Sequence, residues 1–245
     1  MNPRIVIIPT YNEIENIEAI IRKVCSLAMP FDILIVDDGS PDGTGAKVKA
    51  LQQEYSQLHL LERAGKSGLG TAYIVGFKWC LTKGYGFIFE MDADFSHNPD
   101  DLPRLYTACA EGADMSIGSR YVTGVNVVNW PMSRVMLSFF ASKYVRVITG
   151  LPVHDTTAGF VCYTSKVLKA IELDKIKFRG YAFQIEMKFT AWKMGYTLKE
   201  VPIIFTDRTL GTSKISKNII REAIWGVLAL KLKSMFKRYP QRANG

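Results

Sequence analysis

Two aspartates separated by one alanine follow an apolar run near the middle of the chain. The stretch "YGFIFEMDADFSHNPDDL" (85–102) places Asp92 and Asp94 at the carboxyl end of a predicted buried strand. Residues two apart on an extended backbone point to the same face, so the two carboxylates are predicted to lie side by side. Apart from His97, the next basic residue downstream is Arg104. Because carboxylate oxygens are ligands that Mg²⁺ and Mn²⁺ prefer, we predict a divalent-cation site that also takes substrate phosphate oxygens. Capping of the following segment is the structural alternative.

The elements before this pair alternate between strands and helices. Short apolar runs rich in β-branched residues predict strands at 4–10, 32–38, 58–63 and 86–91. Helical patterns lie between them at 13–27, 43–55 and 69–84. This alternation predicts an α/β fold with a Rossmann-like, mostly parallel central sheet flanked by helices. Ligands of such sheets bind at the carboxyl ends of the strands.

Polar segments follow each of the other three strands at that edge. They are PTYNE (9–13), DDGSPDGT (37–44) and RAGKSGLGTAY (63–73). In the first, Tyr11 can stack on a base, and Glu13 can form hydrogen bonds with a base or ribose. The structural alternative is that Asn12 caps the following helix and Glu13 interacts with its dipole, and for Asn12 we favour this alternative. In the second, one of Asp37 and Asp38 is predicted to accept hydrogen bonds from a ligand, while the glycines and proline shape the turn.

Basic residues supply candidate anion contacts. The loop with Arg63 and Lys66 fits neither a P-loop nor a dinucleotide fingerprint, and serves either as a lid or as a phosphate contact. A second group is Arg120 with two residues of one predicted helix face, Arg134 and Ser138, which are four apart. This second group is either an anion site or a solvated helix face. In the segment 206–214, Arg208 and Lys214 flank a glycine turn and are either surface charge or a clamp on a diphosphate.

The second half of the chain is less regular. The predicted elements are a strand and loop at 113–121, a helix at 133–148, a strand and helix at 159–173, a helix at 181–195, a strand at 199–208 and an amphipathic helix at about 216–238. We expect the last helix either to lie on an anionic membrane surface or to pack on the sheet.

Composition and charge limit the class of protein. The 245 residues are 48% hydrophobic and 22% charged, which is typical of a globular protein. The net charge is +8, and nearly all of the excess lies from Lys214 onward, which favours an anionic membrane surface or nucleic acid as partner. The N-terminus lacks the pattern of a signal peptide, no apolar run reaches a membrane span, and four dispersed cysteines predict reduced thiols. We therefore expect a cytoplasmic protein.

Taken together, these motifs resemble the family-2 glycosyltransferases of the GT-A fold, and within them the dolichol-phosphate (polyprenol-phosphate) mannosyltransferases. The resemblance is carried by PTYNE, DDGSPDGT, RAGKSGLGTAY, MDADFSHNP, GSRY, GYAFQIEM and EVPIIFTDRTLGTSK, in that order along the chain. It implies transfer of mannose from GDP-mannose to a polyprenyl monophosphate with inversion, giving a β-linked lipid-phosphate mannose. It further implies a catalytic domain at 1–213 and a basic membrane-docking helix and tail at 214–245.

The resemblance also implies roles for individual residues. The nucleotide sugar would be held by Pro9, Tyr11, Glu13, Val36, Asp38, Asp92, Ala93, Asp94, Arg208 and Lys214. Asp92 and Asp94 would be catalytic through Mg²⁺ or Mn²⁺, with Ser96 at a third metal-ligand position where relatives often carry glutamine. The acceptor phosphate would be received by Arg120, Arg134 and Ser138. Ala158 and Val161 replace the serine and arginine of many relatives, so no anion contact is assigned there.

Many relatives carry C-terminal membrane spans, and this sequence has none. The enzyme would therefore dock peripherally on the cytoplasmic face of a membrane, directly or through a membrane-anchoring partner protein. Three alternatives stay open: a UDP-glucose donor, a cell-surface polysaccharide as acceptor, and a basic nucleic-acid-binding protein. The last rests only on the tail, and the favoured interpretation has no nucleic acid partner.

Overall fold

The computed structural model describes residues 3–178, 180–207 and 217–242. Within these ranges the strands are β1 (Arg4–Thr10), β2 (Asp32–Asp37), β3 (Leu58–Glu62), β4 (Phe87–Glu90), β5 (Met115–Ser119), β6 (Val127–Val128), β7 (Val161–Thr164), β8 (Leu198–Pro202) and β9 (Phe205–Thr206). The α-helices are α1 (Ile17–Cys25), α2 (Thr44–Leu51), α3 (Leu69–Thr82), α4 (Leu102–Ala110), α5 (Met132–Thr149), α6 (Ser165–Ala170), α7 (Tyr181–Lys193) and α8 (Lys217–Phe236). Short 3₁₀ helices occupy Pro99–Asp101 and Leu173–Lys175.

Seven strands form one sheet in the order β3-β2-β1-β4-β7-β5-β8. Every neighbouring pair is parallel except the two that include β7, which runs antiparallel to β4 and β5. The predicted mostly parallel sheet with flanking helices is therefore confirmed. A second, two-stranded parallel sheet joins β6 to β9.

The apolar strands are buried on both faces of the sheet. Along β1, Ile5 and Ile7 belong to one core cluster, whereas Val6 and Ile8 belong to the other. This alternation follows from the two-residue period of an extended chain. Because helices cover both faces, these strands are continuous apolar runs and do not alternate with polar residues.

The first helix begins later than the sequence pattern predicts. The predicted helix at 13–27 starts at Ile17, with Asn16 as its cap residue, so the prediction that Asn12 caps it is wrong. Asn12 instead adopts a left-handed conformation, with φ of 58°. Its backbone N–H donates to Ser40 Oγ at 3.0 Å, and that of Ile14 donates to Asp42 Oδ2 at 3.1 Å. Contacts with the turn after β2 therefore fix the bend at Tyr11 and Asn12.

Helices α3 and α7 meet at a glycine. A Cβ at Gly70 would lie 2.7 Å from Phe183 Cδ2 and 2.9 Å from the Phe178 carbonyl oxygen, which is closer than atoms can approach. A side chain at this position would push α7 away from α3. Gly70 thus permits the close approach of α3 to Phe183, the residue before Gln184 on α7.

Helix α8 packs on α5 and α7. Val227 and Leu230 are buried there with Val145, Ile185 and Phe189. Other apolar residues of α8 are exposed, namely Ile224, Trp225, Leu232, Met235 and Phe236. The apolar positions of this helix are therefore divided between a packed side and an exposed side.

Two further observations bear on the sequence predictions. None of the described helices is both long enough and apolar enough to cross a membrane. All four cysteines are free thiols, as predicted, and three of them are buried.

Candidate active site

The polar segments meet because the strands before them are in register. Pro9 of β1 lies opposite Val36 of β2, and Ile7 of β1 lies opposite Glu90 of β4. The residues that follow these strands therefore leave the sheet at one edge, and Asp38 and Asp92 belong to this group.

Two contacts tie the loop after β3 to this edge. Arg63 donates from NH1 to Asp38 Oδ1 at 2.8 Å, and both side chains are largely buried. Burial raises the pKa of Asp38, and the Arg63 charge opposes that rise. The Lys66 ammonium lies 4.9 Å from the centroid of the Tyr11 ring. The predicted base-stacking tyrosine and the predicted phosphate-binding loop are therefore neighbours.

The turn after β2 separates the roles of its two aspartates. Asp37 accepts hydrogen bonds from Thr10 Oγ1 at 2.8 Å and from the backbone N–H and hydroxyl of Ser40 at 2.9 and 2.6 Å. It therefore holds the turn together. Asp38, the predicted ligand residue, pairs with Arg63. Glu13 accepts from Asn16 Nδ2 at 3.1 Å, and its backbone N–H donates to Thr44 Oγ1 at 3.1 Å.

Two predicted nucleotide-binding residues have buried side chains. Val36 is fully buried within the core, and Ala93 is 4% exposed and packs in the opposite cluster. Any contact of these residues with a ligand would therefore come from their backbone atoms.

Asp92 and Asp94 line a cavity of about 450 Å³. Ser96, Arg120, Arg134 and Ser138, all predicted from sequence, line the same cavity. The structure thus brings the predicted metal site and the predicted acceptor-phosphate site into one space. Pro9, Tyr11, Glu13, Val36, Asp38 and Ala93 lie outside its lining.

The loop that carries the aspartates is a tight turn. Phe95 has φ of 60°, and the Ser96 backbone N–H donates to Asp94 Oδ1 at 3.1 Å. The Asp92 backbone N–H donates to His97 Nδ1 at 3.2 Å. These bonds hold both carboxylates at the cavity wall, where the Asp92 side chain is 40% exposed and Asp94 is buried.

The residues of this turn fit a hard divalent cation. Two carboxylates are present, and the Ser96 hydroxyl is buried without a hydrogen-bond partner among the described residues. No cluster of three or more histidine, cysteine or acidic side chains suited to a metal occurs in the described part of the chain. A cation held here would therefore take its remaining ligands from substrate and water, as Mg²⁺ commonly does.

Arg120 is held by a carboxylate that no sequence pattern indicates. Its Nε and NH2 donate to the two oxygens of Asp155, each at 2.6 Å, and NH2 also donates to Thr157 Oγ1 at 2.9 Å. Burial alone would raise the pKa of Asp155, but the Arg120 charge outweighs it and the pKa is lowered. Asp155 therefore sets the orientation of the guanidinium in the cavity wall.

Asp155 is in turn positioned by Glu200 on β8. Glu200 Oε1 accepts from the Asp155 backbone N–H at 2.9 Å and from the Ser119 hydroxyl at 2.6 Å. Its other oxygen accepts from the His154 backbone N–H at 2.8 Å.

Arg134 has a separate carboxylate partner. Its NH1 lies 2.9 Å from both oxygens of Asp207, which directly follows β9. The guanidinium carbon lies 4.1 Å from the centroid of the Trp130 ring, which also lies 5.5 Å from the Arg120 guanidinium carbon. Arg134 Nε and Trp130 Nε1 make no hydrogen bond with any described residue. This wall therefore presents donors suited to an anion.

A buried polar group lies behind the aspartate pair. Gln184 Nε2 donates to Glu90 Oε2 at 2.7 Å, and Lys188 Nζ donates to the Ala158 carbonyl at 2.6 Å. Burial raises the pKa of Glu90 to about 8 and lowers that of Lys188 to about 8. Gln184 lines the cavity, so its amide connects this group to the site.

Arg208 and Lys214, the predicted clamp on the donor, lie outside the described residues. Asp155, Glu200, Asp207 and His97 also belong to the site, but the sequence patterns do not predict them. The partners of the three acids lie far away in the chain, so no local pattern indicates them. His97 contacts the nearby Asp92, but the rings that pack on it, Phe160 and Phe205, are distant in the chain.

Comparisons with known proteins agree with this architecture. Residues 5–171 match the model of glycosyl transferase family 2. The chain is 47% identical over 229 residues to a polyprenol monophosphomannose synthase of Mycolicibacterium smegmatis, covering 91% of this chain and 86% of that protein. It is 46% identical over 228 residues to an undecaprenyl-phosphate mannosyltransferase of Micrococcus luteus, covering 91% and 93%.

Solved structures of lower identity share the fold. Glucosyl-3-phosphoglycerate synthase from Mycobacterium tuberculosis, solved with Mn²⁺, UDP and glucosyl-3-phosphoglycerate, superposes with a TM-score of 0.66 at 16% identity, covering 95% of this chain and 79% of that one. A mannosyltransferase from Pyrobaculum calidifontis, solved with GDP-Man and Mn²⁺, gives 0.62 at 18% identity, covering 97% and 66%. Given the matched family model and the relatives, this chain belongs to glycosyl transferase family 2 and has the GT-A fold.

Proposed function

We propose that this protein transfers mannose from GDP-mannose to a polyprenyl monophosphate, with inversion, and forms a β-linked polyprenyl-phosphate mannose. The observation that carries the proposal is the single cavity that holds an acidic pair, two arginines and apolar walls. Relatives at 46–47% identity are named for this class of acceptor and sugar.

The edge of the sheet outside the cavity suits the nucleotide. Tyr11 offers a ring face for the base, with Lys66 beside it. Asp38 and Glu13 offer carboxylates for hydroxyl and amine donors of the nucleoside. From this edge the diphosphate would extend to Asp92 and Asp94, and the sugar would enter the cavity. Arg208 and Lys214 are proposed to close over the diphosphate.

Asp92, Asp94 and Ser96 would hold the divalent cation, Mg²⁺ or Mn²⁺. When bound, it would neutralise the diphosphate and so stabilise GDP as the leaving group.

The acceptor wall suits a phosphate and not a sugar hydroxyl. A hydroxyl acceptor must lose a proton to a base, usually a carboxylate or histidine. A phosphate monoester has its second pKa near 6 and is largely a dianion at neutral pH, so it requires no such base. The cavity wall also contains Asp92, Asp94, His97 and Asp207, but the first two are proposed to hold the cation, His97 Nδ1 accepts from the Asp92 N–H, and Asp207 pairs with Arg134. Arg120, Arg134 and Ser138 supply hydrogen-bond donors for the phosphate. One phosphate oxygen would attack the anomeric carbon as the bond from that carbon to GDP breaks.

The lipid tail would leave the cavity between α5 and α8. Leu137 and Phe140 of α5 and Ile224 of α8 line the cavity and are at least 45% exposed. Exposed apolar residues continue along both helices, among them Met132, Met136, Trp225 and Phe236. Together with the basic charge from Lys214 onward, they support docking of segment 214–245 and of α5 on the cytoplasmic face of an anionic membrane, with or without an anchoring partner protein.

A reconstituted assay tests the proposal. Purified protein with Mn²⁺, radiolabelled GDP-mannose and undecaprenyl phosphate in detergent is expected to yield mild-acid-labile mannolipid. UDP-glucose in place of GDP-mannose, and undecaprenol in place of its phosphate, are expected to give no product. Equal transfer from UDP-glucose would assign the other donor, and transfer to undecaprenol would contradict the phosphate acceptor.

A further inference from the structure

His97 lies in the cavity wall between the acidic pair, Asp92 and Asp94, and the wall that carries Arg120. It is 3% exposed and lines the cavity beside Asp92 and Asp94. Its ring stacks on Phe160 at 4.9 Å between centroids, with an interplanar angle of 12°. It also meets the edge of Phe205 at 5.5 Å, and Phe205 lies 5.4 Å from the Arg120 guanidinium carbon. The imidazole is therefore fixed between the acidic pair and the acceptor wall.

The hydrogen bond at one ring nitrogen determines the state of the other. A backbone N–H can only donate, so the bond from Asp92 requires His97 Nδ1 to be an unprotonated acceptor. The ring is then neutral and carries its proton on Nε2. Within the described residues nothing accepts a hydrogen bond from Nε2. The structure thus presents a neutral N–H donor, in a ring that packing holds in place, at the wall of the reaction cavity.

We propose that His97 Nε2–H donates a hydrogen bond to a non-attacking oxygen of the acceptor phosphate and so sets the acceptor's orientation toward the sugar. This inference rests on the proposed function and adds His97 to Arg120, Arg134 and Ser138 as a residue that contacts the acceptor. A hydrogen-bond donor at this point of the wall would orient the phosphate between the acidic pair and the two arginines.

Two substitutions separate the two ring nitrogens. In His97→Asn the side-chain oxygen can replace Nδ1 as acceptor for the Asp92 N–H, but nothing replaces Nε2–H. In His97→Gln the side-chain N–H can reach the position of Nε2, but the bond to Asp92 is lost. His97→Asn is therefore expected to raise the KM for undecaprenyl phosphate about tenfold or more, as loss of a hydrogen bond to a charged group does. The KM for GDP-mannose and the Kd for Mn²⁺ are expected to stay within about twofold of wild type, since the Asp92 turn keeps its bond.

His97→Gln is expected to show the reverse pattern, with a weaker Mn²⁺ affinity and a smaller change in acceptor KM. If His97→Asn leaves the acceptor KM within twofold of wild type, or raises the donor and acceptor KM equally, the imidazole only supports the turn and the proposal is wrong. Failure of the wild-type protein to mannosylate any polyprenyl phosphate would instead overturn the proposed function.

A measurement on the unsubstituted protein covers the case in which the variants do not fold. With ¹⁵N-labelled histidine, the His97 Nε2–H resonance is expected to shift downfield on addition of a short-chain isoprenyl phosphate and not on addition of the matching alcohol. A response to the alcohol equal to that of the phosphate, or no response to either, would overturn the proposal.

Discussion

Asp92 and Asp94 are positioned by the register of adjacent strands, whereas Arg120 and Arg134 are positioned by carboxylates 35 and 73 residues away in the chain. We call the edge with Asp38, Asp92 and Asp94 the donor half of the site, and the wall with Arg120 and Arg134 the acceptor half. In the donor half, β1, β2 and β4 end together, and hydrogen bonds to backbone N–H groups hold the turns after β2 and β4. In the acceptor half, Arg120 directly follows β5, and side-chain ion pairs with distant residues orient both arginines. The aspartate pair therefore depends mainly on strand register, and the orientation of the two arginines depends mainly on charge.

The two arginines of the acceptor half also differ from each other. The Arg120–Asp155 pair is almost fully buried, with side chains 9% and 0% exposed. The Arg134–Asp207 pair is about one quarter exposed on each side. A buried ion pair that loses one partner leaves an uncompensated charge, whereas a half-exposed pair is partly solvated. We therefore expect Asp155 to be a structural requirement and Asp207 to be exchangeable.

The largest expected effect is on catalysis in the donor half. Asp92→Asn is expected to reduce mannose transfer by a factor of about 10³, because a lost electrostatic contact to the leaving group has effects of this order. The free energy of unfolding is expected to change little, since the Asp92 side chain is 40% exposed. Transfer rate with Mn²⁺ and urea denaturation measure the two quantities.

Asp100→Asn is the matched control, because this acid lies on the same segment and pairs at the surface with Lys23. Its transfer rate is expected to equal that of wild type. Retention of more than a tenth of wild-type activity by Asp92→Asn would contradict the metal role of the pair.

The largest expected effect on stability is in the acceptor half. Asp155→Asn is expected to lower the free energy of unfolding by about 3–5 kcal/mol, because it leaves the buried Arg120 without its carboxylate. The double variant Arg120→Met, Asp155→Leu is expected to recover much of that stability without recovering transfer to the lipid phosphate. Recovery of both by the double variant would show that Arg120 has no role with the acceptor.

Acid should weaken the same pair. Arg120 lowers the pKa of Asp155 below its value of 3.8 in the unfolded chain. The stabilisation from this pair is therefore complete above about pH 4 and is lost as the pH falls through the lower folded-state pKa. Urea denaturation at pH 3 and pH 6 is expected to show a smaller pH dependence in the Arg120→Met, Asp155→Leu double variant than in wild type. An equal dependence in the two proteins would mean that the pair does not titrate with unfolding.

These contrasts explain how much of the molecule can be predicted from its sequence. The strands, the parallel sheet and the aspartate pair follow from local patterns, because apolar runs, turn residues and strand ends are adjacent in the chain. Asp155, Glu200 and Asp207 could not be found in this way, since their partners are distant and their immediate neighbours carry no motif. Asn12 was predicted wrongly because its conformation is set by Ser40 and Asp42 across the sheet edge.

The smallest expected effect concerns Asp207. Its carboxylate contacts NH1 of the guanidinium that the acceptor phosphate would bind, so it competes with phosphate for the charge of Arg134. Asp207→Asn is expected to lower the KM for undecaprenyl phosphate by a few-fold, since partly exposed ion pairs contribute at most about 1 kcal/mol. The KM for GDP-mannose is the internal control and is expected to remain unchanged. A higher acceptor KM in this variant would mean that Asp207 positions Arg134 for the phosphate and does not compete with it.

The most direct test of the account is the rate of mannose transfer from GDP-mannose to undecaprenyl phosphate before and after exhaustive chelation, with Mn²⁺ then added back. Transfer is expected to fall to background with chelator, to return with Mn²⁺, and not to return in Asp92→Asn. Undiminished transfer after chelation, or full restoration of the variant by Mn²⁺, would contradict a cation-dependent site at Asp92 and Asp94.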